Sequence, residues 1–185
     1  MAFTPKFKAL FAAAVAAQAM AILQRDFPAA IAGITPPPGR TYPTFQSYKK
    51  DLIGAAMNTP SIIVAVRETL FAGDDDLQTR PQVHRLLLRL EIEDQDPEFA
   101  AQAAYDYLRA VDQVITSAPI GDWLAALPIT HATLPAAANT ASLAALGARV
   151  GDVRVEAHDY GVLWQAPAGF GMRPAMTVLI ETEEV

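Results

Sequence analysis

The chain has 185 residues, 52% hydrophobic and 18% charged, with a net charge of −6 and no cysteine. That composition suits an ordered core, and the absence of cysteine excludes disulfide frameworks, thiolate metal sites and thiol nucleophiles. Residues 1–70 carry seven basic and three acidic side chains, whereas residues 71–185 carry seven and seventeen. An acidic second part is ill suited to gripping nucleic acid, though not to letting it pass without sticking.

The first element is an Ala-rich run from Ala9 to Leu23, preceded by Lys6 and Lys8. It has the outline of a secretory leader, but Gln18 interrupts it, and it is too short and too weakly apolar to span a membrane. Alanine favours helix, and Phe7, Phe11, Val15 and Ile22 recur at roughly helical spacing, which predicts a packed helix over residues 4–24 that breaks near Pro28. Residues 33–43 hold three consecutive prolines and read as a stiff connector. A short helix is expected from Thr44 to Met57, with Phe45, Tyr48, Leu52 and Ile53 on its apolar side and Asn58-Thr59-Pro60 ending it. The β-branched run Ser61–Arg67 then predicts a buried strand.

Ala72–Arg80 contains Gly73 followed by Asp74, Asp75 and Asp76, so residues 61–93 read as a long β-hairpin with an acidic tip. The three aspartates lack the ligand spacing of a calcium loop and are read as solvated. Past the tip, Leu86, Leu88, Leu90 and Ile92 alternate with Arg85, Arg89, Glu91 and Glu93, the period of a half-buried strand. Asp96-Pro97-Glu98 follows: a capping side chain, a proline suited to the first helical position and an acid at the positive end of the dipole. The helix over residues 97–116 has an apolar stripe of Ala100, Ala104, Tyr107, Leu108, Val111 and Ile115. Gln102, Asp106, Arg109 and Gln113 lie opposite, with Asp106 and Arg109 able to pair across one turn.

Residues 117–149 read as an insertion beside the sheet. It opens with a brief helix over Gly121–Leu127, continues irregularly through Pro128 and Pro135, and ends in a second short helix capped by Asn139 or Thr140. Val153, Val155 and Ala157 alternate with Arg154, Glu156 and His158 in a further strand. Asp159-Tyr160-Gly161 forms a bulge or turn before the extended run Val162–Trp164. Pro167–Gly171 is expected to be a flexible connector, and Met176, Val178 and Ile180 mark the last strand. Together the elements predict an α/β chain of the α+β kind. Its mixed, mainly antiparallel sheet with a long hairpin packs against an N-terminal and a central helix, in a single domain of residues 1–185 with an insertion at 117–149.

Chemistry is sparse. His84, His131 and His158 lack the close spacing that supplies paired metal ligands, and there is neither a Gly-x-Ser-x-Gly elbow nor a phosphate-cradling glycine loop. The run Glu91, Glu93, Asp94, Asp96 and Glu98 sits where a strand gives way to a helix, and is read as structural rather than as proton-transfer machinery. No catalytic, cofactor-binding or metal-ligating residue is assigned, and no enzymatic activity is expected. Trp164, Phe170, Met172 and Met176 are candidates for a contact surface, because aromatics and methionine are enriched at interfaces.

Three stretches carry a resemblance: Pro60–Val66, Val83–Ile115 with its strand, acidic link and helix, and Val153–Glu181 with Tyr160-Gly161 between its extended runs. In this order they are similar to the tail-terminator proteins of long-tailed bacteriophages. The resemblance implies an α/β subunit assembled into a six-membered ring that caps the finished tail tube, stops its polymerisation and offers a surface to head-completion proteins. It implies as partners other copies of the chain, the tail tube protein and a head-completion or neck protein, with DNA passing through the lumen without specific binding. It implies no cofactor and no membrane, and a location in the virion tail or neck after assembly in the host cytoplasm. On this reading Asp74, Asp75 and Asp76 face the lumen. Another neck or tail component, and a small-ligand-binding α+β domain, are the alternatives.

Overall fold

The computed structural model describes residues 11–50, 58–71, 82–123, 148–167 and 169–184. In chain order the elements are α1 (Ala12–Ala32), β1 (Ser47–Lys50), β2 (Ser61–Phe71), β3 (Gln82–Asp94), α2 (Pro97–Ser117), α3 (Ile120–Trp123), β4 (Ala148–Asp159), β5 (Trp164–Ala166), β6 (Gly169–Met172) and β7 (Ala175–Glu184). The fold is mixed α+β, with a mostly antiparallel sheet, as the alternating segments predict. Strand β3 organises it. Along its length it pairs antiparallel with β2, its first eight residues pair with β7, and its last three pair with β6. The main sheet therefore runs β1-β2-β3-β7-β4, while β6 and β5 form a short branch off the end of β3. Only β1 and β2 run parallel among the described pairs.

The period of two in β3 sorts its side chains. Gln82, His84, Leu86, Leu88, Leu90 and Ile92 are buried, and the residues between them are half-buried. The buried face meets α1 and α2, and Val15, Leu23, Phe27, Tyr107, Leu108 and Val111 share one apolar cluster with Ile62, Val64, Leu86, Leu88, Val178 and Ile180. Each fully buried leucine or isoleucine there contributes about 2 kcal/mol of transfer free energy. Helix α2 forms as its sequence dictates. Asp96 Oδ1 accepts from the amides of Glu98 and Phe99, Pro97 occupies the first turn, and the apolar stripe turns onto the sheet. Arg109 and Gln113 face outward, as expected of the polar side. Asp106 does not pair with Arg109. It accepts instead from Tyr42 Oη and Gln102 Nε2, tying α2 to the proline-rich connector.

Four expectations are corrected. Helix α1 does not break at Pro28 but continues to Ala32, because Phe27 and Ile31 are anchored in the core on either side of the proline. Residues 44–50 are not helical. Tyr48 sits in β1, held by pairing to Ser61–Val64 and by edge contact with Phe45, and the rest of the expected helix, residues 51–57, lies outside the described residues. Pro167–Gly171 is not a loose connector, since Gly169–Met172 is strand β6, paired to both β5 and β3. In β4 the simple alternation fails. A bulge at Glu156 shifts the phase, so His158 shares a row with Met176 on the core side and Ala157 pairs with Thr177.

Of the expected insertion, residues 117–123, which include α3, and residues 148–149, which begin β4, are described, and residues 124–147 lie outside the described residues. The same holds for residues 4–10 of the expected first helix. Two glycines are required by the chain's path. Gly161 has φ +74°, and a Cβ there would lie 2.7 Å from the Arg173 carbonyl carbon. At Gly171 a Cβ would fall 2.3 Å from the Trp164 ring, which lies directly on the glycine backbone.

Candidate functional site

Three clusters of side chains rise from this framework. The first spans the sheet at His84 and Arg85, neighbours on β3 that point to opposite faces. Toward the core, His84 is fully buried, with Nδ1 3.0 Å from Thr69 Oγ1 of β2 and Nε2 2.8 Å from Thr182 Oγ1 of β7. Burial holds its pKa down, from the ordinary 6.5 to about 4. On the open face, Arg85 Nε donates to Glu156 Oε2 at 2.9 Å and Nη1 donates to Glu68 Oε1, joining β2, β3 and β4. An open cleft of about 520 Å³ lies there, lined by Arg67, Glu68, Arg85, Glu156, Ala157 and Thr177.

The second cluster is an aromatic cleft between the connector and α2, about 330 Å³, where Tyr42, Phe99 and Tyr107 meet Glu93 and Asp94. Tyr42 stacks on Phe99 and meets Tyr107 edge-on. Burial, reinforced by the Asp106 carboxylate, pushes the Tyr42 phenol above its usual range, and burial does the same to Tyr107, whose hydroxyl donates to the Pro43 carbonyl. Arg40 closes one side, with its guanidinium 4.5 Å from the Phe99 ring centre and 2.7 Å from Asp96 Oδ2. The phenols are committed to internal partners, so this cleft positions the connector.

The third cluster is exposed. Tyr105 on α2 and Tyr160 after β4 pack at 5.0 Å between ring centres, beside His158, whose Nε2 lies 3.4 Å from Asp112 Oδ2. Tyr105 and Tyr160 are each 50% exposed, Leu163 40% and Val162 80%. The loop is held firmly. Asp159 Oδ1 accepts from the Gly161 amide, Gly161 lies against the Arg173–Pro174 backbone, and Arg173 stacks 4.4 Å over Trp164 while donating to Glu91. A second exposed apolar pair, Leu70 and Phe71, lies at the opposite end of the sheet, where β2 pairs with the start of β3.

Of the contact-surface candidates, Trp164 and Phe170 are half-buried on the β5–β6 branch. Met172 and Met176 are corrected: at 5% and 0% exposure both lie inside the core cluster, because their strands turn these positions toward α2. Asp74, Asp75, Asp76 and His131 lie outside the described residues. His84 and His158 do not meet, since one is locked between threonines and the other pairs with Asp112. Among the described residues no group of three His, Asp or Glu side chains is placed to hold a metal ion, and no helix is long and apolar enough to cross a membrane.

Sequence reasoning missed the Tyr105–Leu163 surface. Tyr105 falls off the apolar stripe of α2, and Val162-Leu163 read as strand. The usable signal was the large aromatic outside the stripe, together with Tyr160-Gly161 preceding two apolar residues. No protein-family model matches the chain, and no curated protein matches it.

Proposed function

We propose that this chain is a structural, non-enzymatic subunit of a phage tail, a tail-terminator protein that assembles as a six-membered ring at the head-proximal end of the tail tube. The observation that carries the reading is the display of Tyr160, Val162 and Leu163 on a pinned loop beside Tyr105 of α2. Contiguous exposed apolar surface on a rigid support is what a protein that works by contact presents. The order of elements supports the particular family: N-terminal helix, long hairpin, capped central helix and terminal strands in one mainly antiparallel sheet. A second apolar corner at Leu70 and Phe71 favours head-to-tail contact, because two different patches at opposite ends of a subunit suit a closed ring better than a two-fold dimer.

In this role copies of the chain, the tail tube protein and a head-completion or neck protein are its partners. DNA passes through the lumen without being gripped, and the ring resides in the virion neck after assembly in the host cytoplasm. The test is negative-stain microscopy with light scattering on the full chain. Rings of six subunits, which arrest tube growth when added to polymerising tube protein, support the reading. A stable monomer at tens of micromolar overturns it. Rings that leave tube growth unaffected identify another neck component. Val162→Asp should dissolve the rings while leaving the circular dichroism spectrum unchanged.

A further inference from the structure

The β2–β3 hairpin changes character at Arg67. Up to the pair Val66–Leu86 its ladder is regular. Arg67 is then the extra residue of a bulge, and pairing resumes at Glu68–Arg85. Strand β4 carries a bulge at Glu156, between the pairs Val155–Val178 and Ala157–Thr177. Leu86 pairs with Val178, so the two bulges lie on either side of that one row, Arg67 toward Arg85–Leu179 and Glu156 toward Leu87–Thr177. Bulges interrupt ladder hydrogen bonds and bend the strand that carries them. The β2–β3 and β4–β7 ladders are therefore interrupted on either side of the Leu86–Val178 row, while the β3–β7 ladder runs through it without a shift. Beyond the Arg67 bulge, this end of the hairpin is held by the β3–β7 pairs from Gln82–Thr182 to Arg85–Leu179, by His84 on the core side and by Arg85, with Glu68 and Glu156, on the other.

We propose that residues 67–71 and 82–85 form an acid-released flap, with protonation of His84 as the trigger, the Arg67 bulge as the hinge, and the β3–β7 pairs from Gln82 to Arg85 parting as it opens. A neutral imidazole offers one N–H and one lone pair, so one threonine hydroxyl donates to the ring and the other accepts from it. Imidazolium has two N–H groups and no lone pair. The donating hydroxyl then loses its acceptor, and a charge is left without water.

No described neighbour offers that charge a counterion. In β2 the facing residue is Thr69, with Glu68 turned away to Arg85. In β7 the facing residues are Ile180 and Thr182, and Glu181 occupies the alternate face. Strand β4 contributes Val150 and Val153 to the core side, its Asp152, Arg154 and Glu156 being engaged on the open face and His158 held by Asp112. Near this end α1 contributes Phe11, whose amide lies 3.4 Å from Gln82 Oε1, while its Arg25 and Asp26 pair with each other and Arg25 with Asp122 of α3. On α2, Asp106 is held by Tyr42 and Gln102, Asp112 by His158, and Arg109 and Glu98 are exposed.

Lifting the flap returns the ring to water, where it titrates at its ordinary value. The sign follows. The closed form prefers neutral His84, so closure is fully favoured above pH 6.5 and is lost progressively as the pH falls toward 4. Over that window the opening constant rises by close to tenfold per pH unit, reaching about 300-fold.

The experiment is amide hydrogen exchange of the full chain between pH 7 and 4.5, read as protection factors corrected for the intrinsic rate. Protection of residues 68–71 and 82–85 should fall about tenfold per unit below pH 6.5, while Leu88–Ile92 and α2 keep theirs. His84→Leu should remove that slope. Should this variant fail to fold, exchange of the His84 ring C2 hydrogen in the unsubstituted protein supplies the same reading, with a midpoint well below 6.5. Protection that is flat with pH, a ring that titrates at its ordinary value, or an equal loss in every element each overturns the proposal.

Discussion

The two faces of β3 bear alternate residues of one strand and obey different rules. The face toward α1 and α2 is leucine after leucine, each with no measurable exposure at Leu86, Leu88 and Leu90. The other face mixes Arg85, Leu87, Arg89 and Glu91, all half-buried, with Arg85 and Glu91 in ion pairs that bind β3 to β2, β4 and the Arg173 loop. The first face holds the fold by excluded water and close packing. The second holds register, because a charge pair tolerates water but not a one-residue slip. Stability and specificity are thus separated across a single sheet.

Substitution makes the difference measurable. The largest effect is expected for Leu88→Ala, which empties a site with helices on one side and sheet on the other; urea denaturation should show a loss of about 3 kcal/mol. Leu87→Ala, one residue away on the open face, should cost about 1 kcal/mol or less in the same experiment. Equal losses would erase the distinction between the faces. Gly171→Ala comes next, at about 2 kcal/mol, because the new methyl must displace the Trp164 ring. A shift in tryptophan emission should accompany it.

Asp96→Ala should have a smaller effect, read locally as faster exchange of the Glu98 and Phe99 amides. The Phe99 amide and Arg40 hold the Asp96 carboxyl below its ordinary 3.8, so the stabilisation this cap provides is present above that value and lost as the pH falls below it. The smallest effect is expected for Glu156→Gln on the open face, where Arg85 retains Glu68. Its urea midpoint should lie close to that of the unsubstituted protein, and a loss comparable to that of Leu88→Ala would show that the ionic face carries stability after all.

What the sequence revealed of this architecture follows the range of the forces involved. Strand β3 and helix α2 were legible because their signals are local: an alternation from Leu86 to Ile92 broken by Leu87, and Asp96-Pro97 before an amphipathic stripe. Strand β1 was not legible. Four residues with a tyrosine and two lysines have no strand signal of their own, and they are extended only because Ser61–Val64 lies beside them. The bulge at Glu156 was likewise invisible, since nothing in Val155-Glu156-Ala157 marks an extra residue until β7 fixes the rows. Pro28 misled because the cost of a proline inside a helix is outweighed by the anchoring of Phe27 and Ile31, a tertiary fact. The exposed surface was hidden for the same reason, as it joins Tyr105 to residues more than fifty positions away.

The placement of the two tryptophans has a practical consequence. Trp123 is sealed at the end of α3, and Trp164 is partly open on the branch, sandwiched between a glycine and a guanidinium. The chain therefore carries its own pair of optical reporters. A small quencher in solution should dim the branch indole long before it reaches the sealed one, so a docking event at the branch can be followed by fluorescence without attaching a dye.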